Sequence, residues 1–128
     1  MSCYLRVGGA DLVVDALLQN TGMVPERVLH KGDIRTPRSK PLAYSCAVFV
    51  VSKADLNEFD QQLNDATHYL ELHSTAIKQL VAYPGVEWAI LDFGIETRGE
   101  GHPHNDLLPS RFIRAAGITG IDVELSHY

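Results

Sequence analysis

Residues 52–83 carry one regular stripe of apolar side chains, Leu56, Phe59, Leu63, Ala66, Leu70, Ile77 and Leu80, between two strand-like runs at 44–51 and 87–96. A helix with such a stripe must bury it against another element, and the flanking runs supply a sheet. The first run is β-branched and aromatic with few polar groups, as in a strand covered on both faces, and reads as the spine of the sheet. The second alternates: Ala89, Leu91, Phe93 and Ile95 fall on one side, and Trp88, Ile90, Asp92 and Glu96 on the other. That period of two marks a half-covered strand. Ser52 with Asp55 reads as a capping box opening the helix, and Pro84-Gly85 closes it. At about 1.5 Å per residue such a helix runs roughly 40 Å, the width of a small domain, so a bend is expected near His73-Ser74.

The remaining elements are shorter. Cys3, Leu5 and Val7 alternate with Tyr4 and Arg6 in a first strand that Gly8-Gly9 ends by freeing the backbone to turn. From Asp11 a short helix carries Leu12, Val13, Ala16 and Leu17 and stops at Gly22. Residues 24–29 read as an edge strand, since Pro25 suits only the start or margin of a sheet. Residues 31–41 hold one glycine, two prolines and four cationic side chains without apolar periodicity, which is a loop. Asp106 is placed to cap a short helix carrying Leu107, Leu108, Phe112 and Ile113, and Gly117 to end it. Ile121, Val123 and Leu125 then alternate with Asp122, Glu124 and Ser126 in a closing strand. The order predicts a single α+β domain over 1–128, a two-layer ferredoxin-like sandwich whose mixed or antiparallel sheet has helices on one face. The uncovered face would present Tyr4, Arg6, Trp88, Asp92, Asp122 and Glu124.

Composition narrows the function classes. Apolar residues make up 45% and charged residues 21%, as in ordinary globular proteins, and no apolar run approaches the roughly 18 residues of a membrane span. The first six residues lack the basic and apolar regions of a secretory leader, so a cytoplasmic location is expected. Cys3 and Cys46 lie in apolar runs and are expected to stay reduced as small buried hydrophobes. Net charge is −5 but segregated: residues 1–41 have six basic and four acidic side chains, and the rest has five basic and twelve acidic. An acidic bulk opposes nucleic-acid binding and suits a cationic partner.

Two regions are candidate binding sites. Lys31, Arg35, Arg38 and Lys40 surround Asp33 in a loop longer than a tight hairpin needs, against the plainer reading that Gly32 and Asp33 simply make a turn. The open sheet face joins Trp88 to Asp92, Asp122 and Glu124, groups that together attract arginines of a partner. A second copy of the chain is at least as good an occupant of that face. His102 and His104 with Asp106 are the best metal candidates, but Pro103 splays the two rings, and no metal or other cofactor is expected. His68 and Glu71 share a helix face as surface support, and His73 falls at the core edge. No nucleophile elbow, phosphate loop or dinucleotide fingerprint occurs, so catalysis is not the expected role.

Gly8-Gly9, the helix start at Asp11-Leu12, Pro25, the tripeptide Lys31-Gly32-Asp33, then Leu107-Leu108-Pro109 and the closing alternating strand run in the order of a known family. In these respects the chain resembles the bacterial domain of unknown function 4279 along nearly its whole length. The resemblance implies a stand-alone bacterial domain with no known chemistry. Family members commonly place a tryptophan where this chain has Tyr44. Taken together, the expectation is a non-catalytic protein-interaction module, of the immunity or antitoxin type, whose acidic sheet face meets a basic partner. A small-ligand or metal-binding protein, enzymatic in some versions, is the alternative.

Overall fold

The computed structural model describes residues 2–99, 101 and 104–128. It is an α+β fold with one open, mixed sheet of five strands and four helices. In chain order these are β1 (Cys3–Gly9), α1 (Val14–Thr21), β2 (Arg27–Leu29), β3 (Ser45–Ser52), α2 (Phe59–Leu72), α3 (Ser74–Ala82), β4 (Trp88–Ile95), α4 (Ser110–Thr119) and β5 (Asp122–His127). The sheet runs β2-β3-β1-β4-β5. β1 is antiparallel to both β3 and β4, β2 is antiparallel to β3, and β5 lies parallel to β4 after the α4 crossover.

One face of the sheet makes the core. Leu5 and Val7 of β1, Phe49 of β3 and Leu91 and Phe93 of β4 join Leu63, Leu70, Ile77, Leu80 and Phe112 of the helices in one cluster. Phe93 packs edge-on against both Phe59 and Phe112, each at 5.5 Å between ring centroids. Burying a phenylalanine side chain contributes roughly 1.5–3 kcal/mol, so this triad anchors α2 and α4 to the sheet. Among the described residues no helix is long and apolar enough to cross a membrane.

Several boundaries differ from those read in the sequence, each for a local reason. The long helix is two helices, α2 and α3, that meet at His73, where the bend was expected. It opens at Phe59 rather than after Ser52, because Ser52 belongs to β3 and donates to Asp65 at 2.7 Å, while the Asp55 N–H donates to Glu58 at 3.1 Å. The spine of the sheet is β1; β3 is covered on both faces but lies one place nearer the edge. Gly8 and Gly9 remain within β1, and the turn follows them. α1 starts at Val14, and α4 starts at Ser110, with Asp106 engaged by Arg98 at 3.1 Å instead of capping it. α4 runs past Gly117 to Thr119 and closes at Gly120, which adopts a φ of 81°.

Candidate functional site

The strand registers set the outer face as rows crossing the sheet. One row is Arg27, Val48, Arg6, Ile90 and Asp122, each opposite the next. A second is Val50, Tyr4, Asp92 and Glu124, and a third is Leu29, Cys46, Gly8 and Trp88. Side chains opposite one another in a sheet project to the same side, so these rows bring the expected Trp88, Asp92, Asp122 and Glu124 onto one surface with Tyr4 and Arg6.

The face is not uniformly acidic. Arg6 stands in its middle, and its Nη2 lies 3.2 Å from Glu124 and 3.6 Å from Asp92. Asp92 also accepts the Ser126 hydroxyl proton at 2.7 Å, which leaves it more committed than the exposed Asp122. The Arg6 Nε is covered from solvent and has no acceptor among the described residues. Toward β2 the sign changes: Arg27 and Arg35 are exposed and make no ion pair among the described residues.

Of the hollows on this surface, two adjoin through Arg6, Arg27 and Val48. One of about 420 Å³ is lined by Tyr4, Arg6, Glu26, Arg27, Val48 and Asp92. The other, about 310 Å³, adds Arg35, Tyr44 and Trp88 and shares Arg6, Arg27 and Val48 with the first. Both fall at the lower end of, or just within, the volume range of ligand pockets. The Trp88 ring meets Tyr44 edge-on at 5.2 Å. Its seat is Gly8, where an added Cβ would come within 2.5 Å of the indole. Gly8 therefore serves as the space over which Trp88 lies, a role distinct from freeing a turn. Arg27, Tyr44 and Gly8 were not legible as site residues, because only the long-range pairing of β2 with β3 and of β1 with both β3 and β4 gathers them.

The basic loop divides. Asp33 accepts the His30 N–H on its carboxylate at 3.0 Å and its own N–H donates to the His30 carbonyl at 3.0 Å, beside Gly32 at a φ of 93°. That is the chemistry of a turn. Lys31 reaches toward Asp11 at 3.9 Å, and His30 toward Asp15 at 3.2 Å, so this end is tied to the region of α1. Arg38 and Lys40 are exposed and line neither sheet-face hollow, whereas Arg35 lines the second. Two regions that looked separate in the sequence thus meet at Arg35 and Trp88.

The other candidates are placed elsewhere. His102 and Pro103 lie outside the described residues, His104 is exposed, and among the described residues no three metal-binding side chains gather. Glu71 pairs with Arg111 at 2.6 Å, a hydrogen bond that holds its carboxyl below the ordinary range. His73 packs on Tyr69 at 4.5 Å between rings. Cys3 and Cys46 are free and buried, and they point to opposite faces of the sheet. Burial pushes both thiols up, Cys3 the further.

A family model described as Domain of unknown function (DUF4279) matches residues 1–128. The chain belongs to that family. No curated protein and no solved structure matches it. In this DUF4279 domain the position of Tyr44, where the family resemblance called for tryptophan, is part of the aromatic wall beside Trp88.

Proposed function

We propose that this DUF4279 domain is a non-catalytic protein-interaction module that docks its partner on the open sheet face. The observation that carries the reading is the partition of charge across one continuous surface. Arg27 and Arg35 lie toward β2, Asp122 and Glu124 lie on β5, and Arg6 with Trp88 lies between them. Complementary charge steers encounter and fixes register, while a central aromatic with an arginine is the usual makeup of an interface hot spot. The β5 margin suits a basic partner surface, the arrangement expected of an immunity or antitoxin protein. In this reading β1 to β4 form a ferredoxin-like unit, with α4 and β5 appended, and the protein works in the cytoplasm.

The test is capture from the host's lysate by the full chain and by a variant carrying Asp122→Lys and Glu124→Lys. Asp92 is left intact because it holds the Ser126 hydroxyl and gives Arg6 an ion pair that survives the loss of Glu124. A basic protein held by the parent chain and lost from the variant supports the reading. Retention by both sinks it. Recovery of only the chain itself, as a dimer that the variant disrupts, would make a second copy the occupant.

A further inference from the structure

The half of the face nearest β2 differs chemically from the β5 margin. Arg27 and Arg35 are exposed and have no acidic partner among the described residues, yet both line the same hollow as Trp88 and Tyr44. Arg27 and Arg6 flank Val48 across neighbouring strands, which places their backbones about 10 Å apart. The two hollows share these residues and continue from β2 to β4, a width of about 14 Å that four extended residues span. A planar guanidinium grips a carboxylate through paired hydrogen bonds, and an aromatic wall with an apolar floor takes the side chain beside it. Polyphosphate chains fit poorly, since Asp92 and Glu124 lie within the same surface.

We propose that this hollow binds an acidic segment of the partner protein, with a carboxylate held by Arg27 and Arg35 and an adjacent apolar side chain against Trp88 and Tyr44. The proposal rests on the open face being the docking surface and assigns the chemistry of its cationic half. The partner would then carry an acidic, apolar segment beside its basic surface.

Trp88 is the single tryptophan of the chain, so its emission reports the hollow directly. The full chain is titrated with three probes: a terminally blocked Glu-Leu-Glu-Leu peptide, its Lys-Leu-Lys-Leu counterpart, and glutarate. The acidic peptide is expected to change Trp88 emission saturably, with affinity falling by about tenfold or more in Arg27→Glu/Arg35→Glu and by less in Arg35→Gln alone. Both arginines are exposed, and the thermal unfolding curve of each variant verifies that the fold persists. No saturable response to the acidic peptide overturns the proposal. Equal binding of glutarate also overturns it, assigning the site to a small acid instead. Binding of only the basic peptide, lost on Asp122→Lys/Glu124→Lys, would refute the acidic-segment assignment while leaving the docking face in place. Silence toward both peptides, combined with lysate capture unaffected by the β5 variant, would end both readings.

Discussion

The two faces of the same five strands have been put to opposite uses. On the inner face, Leu5, Phe49, Leu91 and Phe93 are at most 1% exposed and fill the space under α2, α3 and α4. On the outer face, the intervening Tyr4, Arg6, Trp88 and Asp92 are half-buried and set charge and aromatic surface side by side. Because strand side chains alternate, one residue's step along β1 or β4 moves from stability to recognition. Substitutions on the two faces should therefore separate cleanly, large in stability on one and large in binding on the other.

The largest effect is expected inside. Phe93→Ala empties the contacts with Phe59 and Phe112 and should lower the unfolding free energy by about 3–5 kcal/mol in a denaturant titration. A loss below 1 kcal/mol would mean that the core is not centred there. Next comes Gly8→Val, whose branched side chain collides with the Trp88 indole and the Ser45 carbonyl. It should cost about 1–3 kcal/mol and shift Trp88 emission to the red as the ring leaves its seat, a shift that Phe93→Ala should not produce while the protein stays folded.

Alkaline pH probes the buried groups on either side of the sheet. The Cys3 and Cys46 thiols are held above their ordinary range, chiefly by burial, and burial pushes the Tyr69 phenol up to about 12. Their folded values exceed the unfolded ones, so the stability they carry is intact below about pH 9 and is lost as pH rises above it. Replacing Cys3 with alanine should flatten that alkaline fall, and both thiols should resist a thiol reagent at pH 8 until the chain unfolds. Arg6→Met on the outer face should cost no more than about 1 kcal/mol, since its ion pairs are partly exposed. The smallest change belongs to Glu71, whose depressed carboxyl keeps its advantage at neutral pH and loses it only as pH falls below the ordinary carboxylate range. Glu71→Gln should remove a slight acid-limb slope, lowering stability marginally at neutral pH and leaving it unaltered in acid.

What could be read in advance follows from the range of the interactions involved. The period-two strands, the α2–α3 stripe with its break at His73 and the assignment of Trp88, Asp92, Asp122 and Glu124 to one face depend on near neighbours in the chain. Strand order does not, and the row from Arg27 through Val48 and Arg6 to Ile90 and Asp122 is fixed by pairings up to dozens of residues apart. The arginines that break the acidity of the face were therefore visible singly but not as a group. Gly8 misled for a related reason: glycine signals either a turn or a close approach, and only the position of Trp88 decides between them. The helix starts shifted because Ser52 and Asp106 spend their side-chain oxygens on tertiary partners, Asp65 and Arg98, in place of capping.

The central claim is that recognition belongs to the outer sheet face, and one comparison tests it most directly. The parent chain, a sheet-face variant with Arg27→Glu and Asp122→Lys, and a helix-side control with Glu71→Arg and Arg111→Glu would be used side by side to retain proteins from the host lysate. Each variant preserves net charge, and the control re-forms its ion pair with the signs exchanged. The account predicts the same retained partner for the parent and the control, and its loss from the sheet-face variant. A partner that survives the sheet-face changes but is lost from the helix-side control would contradict it.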